Sequence, residues 1–164
     1  MYFIDQHSSI LAFYVKISFM KLLSTKGWKD FELLDSGNGK RLERFGFRVI
    51  LGDHVTKSRR YLAGTDRERA EDIINFFSNP QIKAIICARG GYGSVRIIPY
   101  LDPKLIHKNP KIFIGSSDIT SLLLYITNKS KLITFHGPMV EPNFGKKPSK
   151  LTDEFFLKMV TRNK

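Results

Sequence analysis

The strongest constraint on this chain is a repeated local order: a short, nearly unbroken apolar run, a loop rich in glycine or serine, then a segment with helical spacing. Lys83–Ala88 (KAIICA) runs into Arg89-Gly90-Gly91-Tyr92-Gly93, and Lys111–Gly115 (KIFIG) into Ser116-Ser117-Asp118. Leu132–Phe135 (LITF) runs into His136-Gly137-Pro138, and Phe47–Leu51 (FRVIL), just after Gly46, reads as an earlier strand. Strands without polar alternation are covered on both faces, and strands separated by helices are joined by right-handed crossovers into a parallel sheet. The expected fold is therefore α/β: an open, mostly parallel sheet with helices on both faces.

The helices have their own signals. Thr65-Asp66-Arg67-Glu68 fits a capping box, in which the threonine hydroxyl accepts from the amide three residues on and the glutamate reaches back. The helix that follows carries an apolar stripe of Ala70, Ile73, Ile74 and Phe77 and stops near Asn79-Pro80. Shorter helices are expected at Ser94–Leu101, Ile119–Asn128 and Leu151–Val160. Residues 1–38 keep neither the strand nor the helix period, and they end in the loop signal Asp35-Ser36-Gly37-Asn38-Gly39. They form an unassigned amino-terminal segment ahead of an α/β domain over 39–164. Within them Ile10–Leu23 is apolar, but Lys16 and Lys21 interrupt it and it is too short for a bilayer of about 30 Å. A core or interfacial segment is the simpler reading, with no membrane partner.

At 164 residues the chain has the length of one domain. Its single cysteine, Cys87, excludes a disulfide framework and a cysteine-rich zinc site, and points to a reduced, cytoplasmic setting. The net charge of +12 raises nucleic acid as a partner, but the excess is spread along the chain with no block of five like charges. A solvated basic surface is favoured over nucleic-acid binding.

Ligands of open α/β sheets bind outside the carboxyl ends of the strands. Arg89–Gly93 has three glycines in four positions, which allows backbone amides to approach an anion or oxyanion. It is no nucleotide fingerprint, since Arg96 stands where G-x-G-x-x-G needs its last glycine. A plain strand-to-helix turn explains it equally well. Gly115-Ser116-Ser117-Asp118 sits where a nucleophile elbow would, although Ser-Asp is also a common start of a helix. His136 reads first as a hydrogen-bonding residue at a strand end, and His7, His54 and His107 have no partner nearby in sequence.

Together GTDRERAEDI, AIICARGGYGSVRIIPYLD, KIFIGSSDIT and ITFHGPMV, in this order and over about Arg41 to Phe156, resemble the LD-carboxypeptidases, a family of serine peptidases. The resemblance implies the amino-terminal, nucleophile-bearing domain of such an enzyme, with Ser117 as nucleophile and the amides of Gly91 and Asp118 as oxyanion hole. It implies hydrolysis of an L–D peptide bond, typically release of D-alanine from murein tetrapeptide, with no metal and no cofactor. The implied partner is a small peptide or muropeptide, and self-association into a homodimer stays open. Family members are about twice this length, and their second domain supplies the Glu and His of a Ser–Glu–His triad. They also open with a first strand and an Ala-Pro-Ser-type loop, to which Met1–Ser36 shows no match. The expectation is a nucleophile domain incomplete and inactive alone. The alternative is a catalytically inert remnant, or a binding or dimerisation module, that keeps the α/β half.

Overall fold

The computed structural model describes residues 10–16, 38–144 and 149–161. His7 and the loop signal at Asp35–Gly37 lie outside the described residues. In chain order the elements are β1 (Ile10–Lys16), α1 (Asn38–Arg44), β2 (Phe47–Leu51), α2 (Asp66–Ser78), β3 (Ala84–Arg89), a 3₁₀ helix (Val95–Tyr100), α3 (Pro103–Lys108), β4 (Ile112–Gly115), a 3₁₀ turn (Ser117–Ile119), α4 (Thr120–Ser130), β5 (Phe135–His136), a π-turn (Val140–Phe144) and α5 (Lys150–Val160). The strands form one sheet in the order β2-β1-β3-β4-β5, and every pairing is parallel.

Two apolar clusters cover the two faces. β3 divides its side chains by the two-residue period of a strand: Ile85 and Cys87 join one cluster, while Ala84, Ile86 and Ala88 join the other. β4 does the same with Phe113 against Ile112 and Ile114. The first cluster is closed by Ala70, Ile73 and Phe77 of α2, Ile106 of α3, and Leu122, Leu123 and Ile126 of α4. The second is closed by Leu42 of α1, Val140 and Phe144 of the π-turn, and Phe156 and Val160 of α5. Arg41 of α1 holds α5 through a paired contact with the Asp153 carboxylate. The open, doubly covered parallel sheet is the fold that the apolar runs called for.

The capping box forms as expected: Thr65 Oγ1 accepts from the Glu68 amide at 3.2 Å, and Glu68 Oε2 accepts from the Thr65 amide at 2.7 Å. In α2 the stripe is shifted slightly. Ala70, Ile73 and Phe77 are buried, but Ile74 is only partly so, and Phe76 takes the remaining core position. Leu132–Phe135 does not form the expected strand. Lys131 ends α4 in a left-handed conformation (φ 56°), and Thr134 Oγ1 donates back to the Leu123 carbonyl, so pairing begins only at Phe135.

The larger departure is β1. Ile10–Lys16, left without an element by its missing period, is a central strand: Ala12 lies opposite Val49 of β2 and Ala84 of β3. The chain thus has a first strand where the comparison with the family pattern expected none. A central strand needs no alternation, and its partners are remote in sequence.

The α2 terminus and its core face make separable contributions. Thr65→Ala should cost about 0.5–2 kcal/mol through loss of the cap, and Ile73→Ala about 2–5 kcal/mol through loss of burial. Urea titration checks both, and equal, negligible losses would contradict the placement of α2. The Lys57 ammonium and the Thr65 amide hold the Glu68 carboxyl down, from the ordinary 4.5 to about 2. A lowered folded pKa contributes stability that is complete above the unfolded value and lost as pH falls toward the folded one. Glu68→Gln should therefore lessen the fall in stability between about pH 4.5 and 2; an unchanged acid limb would refute the pairing.

Candidate active site

Because β3 and β4 are paired parallel neighbours (Ala84 opposite Ile112, Ile86 opposite Ile114), the loops after them emerge side by side. Ser116 is extended (φ −152°, ψ −178°), and the chain then turns abruptly at Ser117, whose φ is +58°. For a residue with a Cβ that conformation costs on the order of 1–2 kcal/mol. Such strain gathers where structure over-determines a functional position. The turn leads into α4 and leaves Ser117 exposed, as a nucleophile elbow would.

Two glycines make room for it. A Cβ on Gly115 would lie 2.4 Å from Ile119 Cγ2, so glycine allows the turn to fold back on the end of β4. A Cβ on Gly90 would lie 3.0 Å from the Ser117 Cβ and 3.3 Å from its Oγ, so the β3 loop passes directly against the serine. Gly91 and Gly93 of that loop take φ values of +131° and +117°, a region that favours glycine.

The two loops are stapled together. Asp118 Oδ2 accepts from the Ser94 amide at 2.8 Å, and the Asp118 carbonyl accepts from the hydroxyls of Ser94 and Ser121. Ser94 is fully buried. On the far side Arg69, a buried guanidinium on α2, donates to the Gly93 carbonyl at 3.1 Å and pairs with Asp66. Burial pushes the pKa of Arg69 down and the Asp66 carboxylate opposes that shift; an arginine so paired keeps its charge. Ser94 and Arg69 are parts of the site that sequence reasoning passed over. Ser94 sits in a quoted motif without a role, and Arg69 falls in the capped helix, where a charge usually faces water.

Sequence reasoning picked out Ser117, Gly91 and Asp118. All three lie at the carboxyl ends of β3 and β4, with Ser117 against Gly90 and Asp118 bonded to Ser94. Among the described residues no side chain hydrogen-bonds the Ser117 hydroxyl. His136 is exposed at the end of β5. His54 does have a partner, since its Nδ1 lies 2.8 Å from Asp72 Oδ1 and its amide donates to Asp72 Oδ2 at 3.2 Å. That pair follows β2 and is separated from β4 by β1 and β3. Burial raises the Asp72 pKa, against the pull of His54. His107 Nδ1 meets the Ser130 carbonyl at 2.8 Å. Burial pushes the Cys87 thiol up, away from the reactive thiolate. Among the described residues no three His, Cys, Asp or Glu side chains gather to hold a metal ion, and no helix is long and apolar enough to cross a membrane.

Residues 29–137 match the LD-carboxypeptidase N-terminal domain. The chain belongs to the LD-carboxypeptidase family. The family is one of serine-type hydrolases. A probable murein peptide carboxypeptidase of Bacillus subtilis is 45% identical over 104 residues, 63% of this chain and 33% of that protein. The microcin C7 self-immunity protein MccF of Escherichia coli is 42% identical over 123 residues, 74% of this chain and 36% of that protein. A solved structure of MccF in complex with aspartyl sulfamoyl adenosine superposes with a TM-score of 0.84 at 34% identity, covering 95% of this chain and 45% of that one. The muramoyltetrapeptide carboxypeptidase of Oxalobacter formigenes superposes at 0.78 with 26% identity, covering 94% and 48%. This chain thus spans about a third of the length of the curated relatives and under half of the solved chains.

The strain at Ser117 is measurable. Glycine adopts φ +58° without the Cβ penalty, offset in part by its greater unfolded entropy. Ser117→Gly should be more stable than Ser117→Ala by about 1 kcal/mol in urea titration. An alanine variant as stable as the glycine variant would show that the turn is not strained.

Proposed function

We propose that this chain is the nucleophile-bearing half of an LD-carboxypeptidase that cleaves the L–D bond before a terminal D-alanine in murein tetrapeptide. The observation carrying the proposal is Ser117 at positive φ on a strand-to-helix turn, with Gly90 against its hydroxyl. A solved muramoyltetrapeptide carboxypeptidase and a solved MccF holding aspartyl sulfamoyl adenosine support a small substrate. The lone, buried thiol supports a reducing, cytoplasmic setting.

In this reading Ser117 Oγ attacks the scissile carbonyl carbon while its proton passes to a general base. The carbonyl oxygen becomes an oxyanion, which the Asp118 and Gly91 amides stabilise. Collapse expels the D-alanine amine, which takes up the proton, and water then hydrolyses the acyl-serine. Ser94 and Arg69 touch no substrate. They are positioning residues that hold the two loops in register.

The base and its orienting carboxylate are assigned to the part of the relatives that this chain does not match. A serine hydroxyl without a base is a weak nucleophile. Where triad members are removed, oxyanion stabilisation and binding still leave about 10³–10⁴-fold over water. The 164-residue chain alone should therefore release little D-alanine from an L–D tetrapeptide. Adding the second domain of a family member in trans should raise release, and Ser117→Ala should abolish the gain. Strong release by this chain alone that survives Ser117→Ala would overturn the nucleophile assignment. Failure of every added domain to raise release would favour the inert-remnant reading.

A further inference from the structure

A cavity of about 530 Å³ opens between the segment before α2 and the 3₁₀ helix after β3. Four arginines line it, Arg59, Arg60, Arg67 and Arg96, against a single carboxylate, Asp66. That carboxylate is already occupied: Arg69 pairs with one of its oxygens, and Arg96 donates to the other at 2.8 and 3.1 Å. Among the described residues Arg59, Arg60 and Arg67 make no ion pair.

The backbone holds two of these arginines in place. Arg59 and Leu62 exchange amide-to-carbonyl hydrogen bonds at 2.7 and 3.0 Å, closing a tight turn over Arg60 and Tyr61. Arg60 takes φ +58°, a conformation unfavourable for a side-chain-bearing residue. The turn packs against the glycine loop, since Leu62 Cδ2 lies 3.0 Å from where a Cβ on Gly93 would be and the Tyr61 and Tyr92 rings are 6.4 Å apart. The Thr65–Glu68 box takes up the Thr65 and Glu68 amides at the α2 terminus.

We infer that this cavity binds a small phosphorylated molecule, its phosphate held by Arg59, Arg60 and Arg67 and the rest of it lying along the Tyr61 and Tyr100 rings. Unpaired like charges lining one concave site repel one another, and an anion relieves that repulsion. A carboxylate fills one guanidinium fork, whereas a phosphate has oxygens enough for several at once. The volume falls in the usual range for small-ligand sites, about 300–1,000 Å³, and exceeds what a bare phosphate needs. The inference is independent of the catalytic reading, because no residue proposed for catalysis lines the cavity.

Pyrophosphate is the probe, titrated by calorimetry into the full chain at constant ionic strength. Saturable one-to-one binding is expected. Arg59→Gln with Arg60→Gln should weaken it about tenfold or more, the worth of one charge-assisted hydrogen bond. Lys104→Gln with Lys108→Gln removes the same charge from the exposed face of α3 and should change affinity less than about twofold if binding is local rather than a response to net charge. Should the arginine pair fail to fold, Arg67→Gln alone must weaken binding while amide shifts at Gly64 and Thr65 still report pyrophosphate. The inference is overturned by absence of saturable binding or by equal weakening in the lysine control. Tighter binding of citrate would assign the site to carboxylates, and tighter binding of a single-stranded oligonucleotide would assign it to nucleic acid; either result overturns it too.

Discussion

The parallel pairing of β3 with β4 is the constraint on which the rest of the site depends. Both strands are apolar on both faces, so their register is set by two cores at once: a slip by one residue would exchange Ile85 and Cys87 with Ala84 and Ile86 between clusters of different volume. With the register held, the glycine loop and the Ser117 turn start from adjacent strand ends. The Ser94–Asp118 hydrogen bonds then join loops 24 residues apart in sequence. A buried backbone amide left without a partner would cost about 1–3 kcal/mol, so this staple resists separation of the loops more than an exposed bond would.

Around that staple the molecule accepts local costs in exchange for geometry. Ser117 keeps a positive φ, Gly90 and Gly115 give up side chains, and Arg69 is taken out of water to hold the Gly93 carbonyl. These backbone positions are held by hydrogen bonds and packing within the chain, the kind of pre-organisation that the proposed reaction would use. Arg69 also links this loop to Asp66, and through it to Arg96, while the loop meets Ser117 at Gly90 and the cavity-lining Leu62 at Gly93.

The match to the LD-carboxypeptidase N-terminal domain accounts for the division of labour in the proposed reaction. In that proposal this chain would carry attack and oxyanion stabilisation, both of which depend on backbone geometry. What is assigned elsewhere is proton transfer, which needs titratable side chains reaching across a cleft. The His54–Asp72 pair has suitable chemistry for that second task, but it follows β2, with two strands intervening.

The sequence by itself determined whatever is local. Unbroken apolar runs separated by helical stripes specified an open parallel sheet, Thr65 and Glu68 specified the start of α2, and the four ordered motifs specified the family, whose resemblance singles out Ser117, Gly91 and Asp118. The sheet, helix and cap features are read within a few residues, because strand period, helix period and capping act over one or two turns. Tertiary structure alone decided where Ile10–Lys16 belongs, since a central strand is defined by its neighbours β2 and β3 rather than by any pattern of its own. It also decided that His54 meets Asp72, that Arg69 turns inward to Gly93, and that Ser117 rather than Ser116 bears the left-handed turn. Each of those outcomes rests on which distant groups share a buried space, and burial is a property of the assembled sheet and helices rather than of any segment.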